Sequence, residues 1–231
     1  MSYCPVIDLY QANRMPLLHV PEGRETVDLP DTLTICSDEE LLTRFCKGQT
    51  EAFGALLRRY ERELYGYLRR YLGDACLAED VFQNTFLQVF VKSGQYEAGR
   101  PVRPWLYTIA TNQAIDALRR NGRHQAVSLE RTHADQGEGE VAGLLDLLQC
   151  PGTGPFEAAT AAERKQQVRA AVERLPDLFK QVLLLAYYQG LKYREIADIL
   201  DIPVGTVKSR LHAALVRLQE ALAETPALAE L

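Results

Sequence analysis

The stretch YREIADILDIPVGTVKSRLHAALVRL, residues 193–218, decides the fold. Ile196, Ala197 and Leu200 recur at helical spacing on one face, and a turn carrying Pro203 follows. From about Val204 the residues Val207, Leu211, Leu215 and Leu218 form a second apolar stripe. Two short amphipathic helices joined by so few residues bury their stripes against each other, which is a helix-turn-helix pattern. With those residues turned inward, Lys208, Ser209 and His212 project from the first turns of the second helix, beside Thr206 and Arg210. Side chains at that place reach base edges when such a helix enters the major groove, and the positive end of the helix dipole attracts phosphate. The opposing interpretation is a solvated hairpin whose basic residues serve only solubility.

Working back from this tail, helical periodicity continues. The spacing predicts helices over roughly 157–174, 177–189, 193–200 and 204–223, broken at Leu175-Pro176 and at Gly190. Residues 121–156 hold Gly122, Gly137, Gly139, Gly143, Pro151, Gly152, Gly154 and Pro155 among acidic residues. That composition predicts a flexible linker that lets two modules sit far apart, with VAGLLDLLQ as a short helix inside it.

The first half is also helical. Ser37 and Glu40 in SDEELL have the spacing of a capping box. From Glu51, the residues Phe53, Leu56, Leu57, Tyr60, Leu64, Tyr67, Leu68 and Tyr71 step by three and four, predicting a long helix that ends near Gly73. A second helix is expected from about Ala75 to Val91. KSGQYEAGRPVRP is a loop by its Gly and Pro content. A third helix is expected from about Pro104 to Arg120, burying Trp105, Leu106, Ile109 and Leu118. No segment alternates with period two. The fold class is therefore all-α: two small helical domains joined by a flexible linker, the second a helix-turn-helix.

Composition supports this organisation. The chain has 231 residues, 47% hydrophobic and 25% charged, with a formal net charge of -5. The acidic excess lies in residues 1–50 and 131–160, while residues 51–130 and 161–231 are each slightly basic. Acidity of the whole chain thus conceals basic faces able to meet nucleic acid. No apolar run is long enough to insert in a membrane. The N-terminal residues lack the form of a secretion signal, so a cytoplasmic location is expected. Cys4, Cys36, Cys46, Cys76 and Cys150 have neither metal nor redox spacing and are expected to be reduced, most of them as small buried side chains. The dispersed histidines add no metal set. No nucleophile has a matching base, so neither catalytic residues nor a cofactor are expected.

Two polar constellations remain. On the third helix Asn112, Asp116 and Arg119 share one stripe, and five arginines stand against two acids between Gln95 and Arg123. Asn pairs with base edges and Arg anchors phosphate; Tyr96 and Tyr107 can stack on an unpaired base. Trp105 fits a core anchor better than a ligand contact. On the second helix Asp80, Gln83 and Asn84 form a polar patch beside large apolar residues, which taken alone is an ordinary solvated face.

In order, these motifs resemble bacterial RNA polymerase sigma factors of the extracytoplasmic-function (ECF) type, in the sigma-70 family. AEDVFQNTFLQVF (residues 78–90) is similar to their polymerase-binding helix, RPWLYTIATNQAIDALRR (103–120) to their −10 segment, and residues 175–218 to their −35 reader. The resemblance covers roughly residues 37–123 and 157–222.

It implies a domain plan: an irregular arm over 1–37, a region 2-like domain over 38–123, an acidic linker over 124–156, and a region 4-like domain over 157–224. It implies that Asp80, Gln83 and Asn84 bind the clamp helices of the polymerase's largest subunit, with Asn84 standing where the family usually has Glu. The −10 contacts implied are Tyr96, Arg100, Arg103, Asn112, Asp116, Arg119 and Arg120, with Asn112 helping to hold a flipped base. The −35 contacts implied are Thr206, Lys208, Ser209, Arg210 and His212, and Ala213 stands where some relatives carry Arg. Core RNA polymerase and promoter DNA are the partners implied, with an anti-sigma factor as a further candidate. The acidic arm, which the minimal family pattern lacks, is a candidate shield for the basic faces or a contact for a regulator. A free-standing helix-turn-helix repressor or activator, with residues 51–120 as a dimerisation or ligand domain, is the alternative. A helical enzyme or adaptor with an incidental basic helix is the third.

Overall fold

The computed structural model describes residue 33, residues 35–122 apart from Ala98, and residues 166–223. The expectations for the arm before residue 33 and for 123–165, the short helix in VAGLLDLLQ among them, lie outside the described residues. Among the described residues every regular element is helical.

Four α-helices of the first module lie among the described residues from 38 on. Helix α1 (Asp38–Cys46) starts at the expected capping box, with Glu40 N–H donating to Ser37 Oγ and Ser37 N–H to Glu40 Oε2, both at 3.2 Å. Helix α2 (Thr50–Leu72) is stopped by Gly73 in the left-handed region, φ 73°, whose N–H meets the Arg69 carbonyl at 3.1 Å. Its stripe from Phe53 to Tyr71 is buried as the spacing predicts, except Leu57, which is half-buried. Helix α3 (Ala75–Lys92) begins where Asp74 Oδ1 accepts from Leu77 N–H at 3.0 Å. It packs Phe86 and Phe90 against Phe53, with Phe45 of α1 on Phe53 and Phe90; ring centroids lie 4.8–6.1 Å apart. A 3-10 turn (Ser93–Gln95) closes it.

Helix α4 begins at Val102, two residues before the Pro104 start that the sequence suggested, and runs to Arg120. The cause is tertiary. Glu39 of α1 accepts the Val102 N–H at 3.1 Å, capping a first turn in which proline is tolerated because its missing N–H has no helical acceptor there. Thr111 meets the Tyr67 hydroxyl at 2.9 Å in the core between α2 and α4.

In the second module, α5 spans 166–174 and α6 spans Asp177–Leu183. The expected helix to residue 189 does not stay α-helical: Leu184–Tyr188 form a π-helical turn, with Gln189 N–H bonded to the Leu184 carbonyl five residues back at 3.2 Å. Helices α7 (Tyr193–Leu200) and α8 (Val204–Ala223) form the helix-turn-helix. Ile196, Ala197, Val207, Leu211, Leu215 and Leu218 are buried, while Leu200 is half-buried. Asp201 ends α7 at φ 51°, in the left-handed region that Asp tolerates better than most residues, and Ile202 N–H returns to the Ala197 carbonyl at 3.1 Å.

The modules touch. Helix α7 packs on α4, and the α6–π segment packs on α2.

Candidate nucleic-acid interface

The patch expected to bind polymerase lies on α3, where Thr85 and the phenylalanines face the core and force the intervening positions outward. Asp80 and Asn84 are exposed and Gln83 is half-buried, with its amide 3.5 Å from Glu79 Oε1. These three side chains lie one helical turn apart on one face, as the sequence predicts.

On α4, Asn112, Asp116, Arg119 and Arg120 are exposed. Asp116 and Arg119 form a loose ion pair at 3.7 Å, so the stripe carries paired and unpaired polar groups together. The loop before α4 is fixed against the same helix. The Tyr96 ring lies 5.3 Å from the Trp105 ring, and its hydroxyl donates to the Arg100 carbonyl, while Arg100 pairs with Glu97 at 2.7 Å. Burial, followed by the charge of Glu39, pushes the Tyr96 hydroxyl pKa up. Trp105 is only half-buried, not the full core anchor expected: it sits at the rim, between the core and Tyr96.

Two further residues differ from expectation. Tyr107 is 0% exposed and cannot stack on a base in this structure. Its hydroxyl meets Glu63 Oε1 at 2.7 Å, and burial, then that carboxylate, raise its pKa. Arg103 turns inward as well, bonding Glu63 Oε1 through Nε and Nη2 and the Gln189 carbonyl through Nη2 at 2.7 Å. Burial works against its charge, but the bond and charge of Glu63 outweigh it, so its pKa is raised.

At the head of α8, Lys208 is exposed and Thr206, Ser209, Arg210 and His212 are half-buried. The Ser209 hydroxyl donates to the Thr206 carbonyl at 3.1 Å. Arg210 has its Nε shielded from solvent without an acceptor, and burial lowers its pKa. A guanidinium N–H without a partner is costly, and an incoming phosphate oxygen removes that cost.

Glu63 and Gln189 were not candidates from sequence. The only hint was Gln189 closing the otherwise apolar run LLLAYYQG, which says nothing about its partner. Of the described cysteines, Cys36 is buried and Cys46 and Cys76 are exposed, while Cys4 and Cys150 lie outside the described residues. Among the described residues no group of His, Cys, Asp and Glu could hold a metal ion, and no helix is long and apolar enough to cross a membrane.

Two family models match, Sigma-70 region 2 over residues 56–124 and Sigma-70 region 4 over residues 165–218. The ECF RNA polymerase sigma factor SigW of Bacillus subtilis is 32% identical over 181 residues, 76% of this chain and 91% of that protein. The RNA polymerase sigma-H factor of Pseudomonas aeruginosa is 31% identical over 191 residues, 82% of this chain and 96% of that protein. Among solved structures, CnrH in complex with the cytosolic domain of CnrY has a TM-score of 0.56 at 22% identity, covering 81% of this chain and 97% of that one. RpoE in complex with the anti-sigma factor NepR, from Bartonella quintana, has a TM-score of 0.53 at 24% identity, covering 74% and 96%. These two share the fold.

Proposed function

The chain belongs to the ECF RNA polymerase sigma factors, and from that premise we propose how its surfaces divide the work of initiation. A sigma factor gives RNA polymerase its promoter recognition and starts transcription. Here the α3 patch of Asp80, Gln83 and Asn84 binds core polymerase. The α4 stripe with its loop (Tyr96, Arg100, Arg103, Asn112, Asp116, Arg119 and Arg120) takes the −10 element. The head of α8 (Thr206, Lys208, Ser209, Arg210 and His212) takes the −35 element. Residues 38–123 and 157–224 are the two working domains, with 1–37 as arm and 124–156 as linker. The role is binding rather than catalysis, in the cytoplasm where polymerase and chromosome meet. An anti-sigma factor is a fitting regulator, since the solved RpoE structure holds one.

The observation that carries this reading is the pair of exposed polar faces on successive modules, α4 with Asn112 and α8 with Lys208, in the order of the two family matches. Capturing a flipped base at α4 offsets the cost of unstacking it, which stabilises a melted promoter. Run-off transcription with core polymerase tests it. Promoter-specific transcripts are expected only when this chain is added. Absence of transcripts with every promoter tried, alongside tight binding of the chain alone to a duplex operator, would turn the assignment toward a free-standing repressor.

A further inference from the structure

The loop before α4 carries Tyr96 and Arg100, and both of its ends are bound to α1. At its start the Cys46 thiol donates to the Ser93 carbonyl at 3.3 Å. At its finish Glu39 Oε1 accepts the Val102 N–H at 3.1 Å. Residues 39 and 46 are seven apart, so they share one face of α1 two turns from each other, roughly 10 Å along its axis. A free chain from 93 to 102 reaches about 30 Å when extended, so only α1 fixes the width of the loop's mouth. The Ser93 carbonyl also accepts the Tyr96 N–H at 3.1 Å, closing the turn from which the Tyr96 ring crosses to Trp105.

Helix α1 is anchored without the loop's help. Leu41 and Leu42 are 0% exposed, Phe45 packs on Phe53 and Phe90, and Asp38 accepts from Arg59 and Tyr60 of α2. Glu39 is held as a carboxylate: burial works against its charge, but its hydrogen bonds from backbone N–H groups and Ser37 outweigh that, so its pKa is lowered. On α4, half-buried Trp105 and Thr108 and exposed Asn112 follow one another at i, i+3 and i+7 on the solvent-facing stripe. The loop, seated on Trp105, closes the N-terminal end of the stripe that carries Asn112.

Resting on the promoter-binding reading, we propose that Glu39 and Cys46 are positioning residues for the −10 site: α1 pins both ends of the 93–102 loop and holds Tyr96 on Trp105, ready for an unpaired base. Neither side chain touches DNA in this arrangement; each acts through the loop. The reason is entropy. A loop that must order itself around a base loses that ordering from its binding free energy, whereas a loop ordered in advance by a rigid helix does not. A carboxylate is a strong acceptor and a thiol a weak donor, so Glu39 carries the larger share.

Trp105 is the chain's single tryptophan, so its fluorescence reports the loop directly. Acrylamide quenching of the full chain is compared for wild type, Glu39→Ala, Glu39→Gln, Cys46→Ala and Cys46→Ser. Glu39→Gln loses the same charge from the first turn of α1 as Glu39→Ala but keeps an acceptor, and Cys46→Ser keeps a donor. The difference within each pair isolates the bond. Cys46 is exposed, so its substitutions leave the core intact. Glu39→Ala should raise the quenching constant about twofold with helicity by circular dichroism unchanged, and Cys46→Ala should raise it less. Glu39→Gln and Cys46→Ser should stay near wild type. With core polymerase, Glu39→Ala should lower permanganate-detected promoter opening about tenfold, the size of one lost charge-assisted hydrogen bond, and leave core affinity within about twofold.

Unchanged quenching in a fully helical Glu39→Ala, or equal quenching in Glu39→Gln and Glu39→Ala, overturns the proposal. So does a loss of core binding as large as the loss of opening, which a merely structural helix would give. Raised quenching with undiminished opening overturns it too, because the order of the loop then serves nothing at the −10 site. Should Glu39→Ala lose helicity, the cysteine pair decides: a difference between Cys46→Ala and Cys46→Ser supports the proposal and none overturns it. Quenching as expected, with no transcription from any of the proteins, would leave the α1 bracket standing and sink the promoter reading instead.

Discussion

In the proposed reading, single side chains divide the work. Asn112 is exposed on α4 and Asp80 on α3, and the two helices pack through their opposite, apolar faces. Asn112→Ala is expected to impair promoter opening more than polymerase binding, and Asp80→Ala the reverse; permanganate footprinting beside a core-binding titration separates them. Equal loss of core binding in both would remove the division. Lys208 stands exposed at the head of α8, so Lys208→Ala should weaken −35 binding and reduce the salt slope by about one, read from affinity at several salt concentrations. Arg210 behaves differently because its Nε has no acceptor in the free chain. Arg210→Leu should raise the free chain's stability by about 0.5 kcal/mol, discounted for partial exposure, while lowering DNA affinity. Urea unfolding paired with a binding isotherm checks both signs.

Elements were readable from sequence wherever their stop and start signals were local. The Ser37–Glu40 box, the Gly73 stop and the turn between α7 and α8 all arise from residues within a few positions of one another. Where the boundary depended on a distant group it was missed: α4 starts at Val102 because Glu39, 63 residues earlier, caps it. The π-helical turn at Leu184–Tyr188 was likewise invisible, since its side chains have the same apolar character an α-helix would use. One turn is tightly specified. At φ 51°, Asp201 occupies backbone space that a β-branched side chain resists, so Asp201→Val should destabilise the second module by about 1–2 kcal/mol, read as a lowered midpoint in urea. An unchanged midpoint would mean that the turn rearranges freely.

At the scale of the molecule, the question is whether two modules act as one. The Tyr107 hydroxyl on α4 and the Gln189 side-chain amide beyond the π turn lie 2.6 Å apart. A double-mutant cycle with Tyr107→Phe and Gln189→Ala should therefore show a coupling of about 0.5–1.5 kcal/mol in unfolding free energy. Strict additivity would mean the modules do not stay docked in solution. The net charge of -5 does not oppose DNA binding, because the exposed Lys208 side chain presents positive charge locally while the acidic excess lies elsewhere in sequence.

The sequence by itself determined an all-helical chain, the order of its helices, the helix-turn-helix at 193–218, and the outward placement of Asp80, Asn112 and Lys208. Each follows from a helical period of 3.6 residues and caps that act over three or four positions. Only the tertiary structure decided that Tyr107 is a core residue and not a stacking surface, that Arg103 is held by Glu63, and that both meet Gln189. Those pairings join residues 40 to 86 positions apart, and no periodic pattern records them. A polar side chain on a helix reads the same in sequence whether its face meets water or another module; what covers that face is settled by the packing of the whole chain.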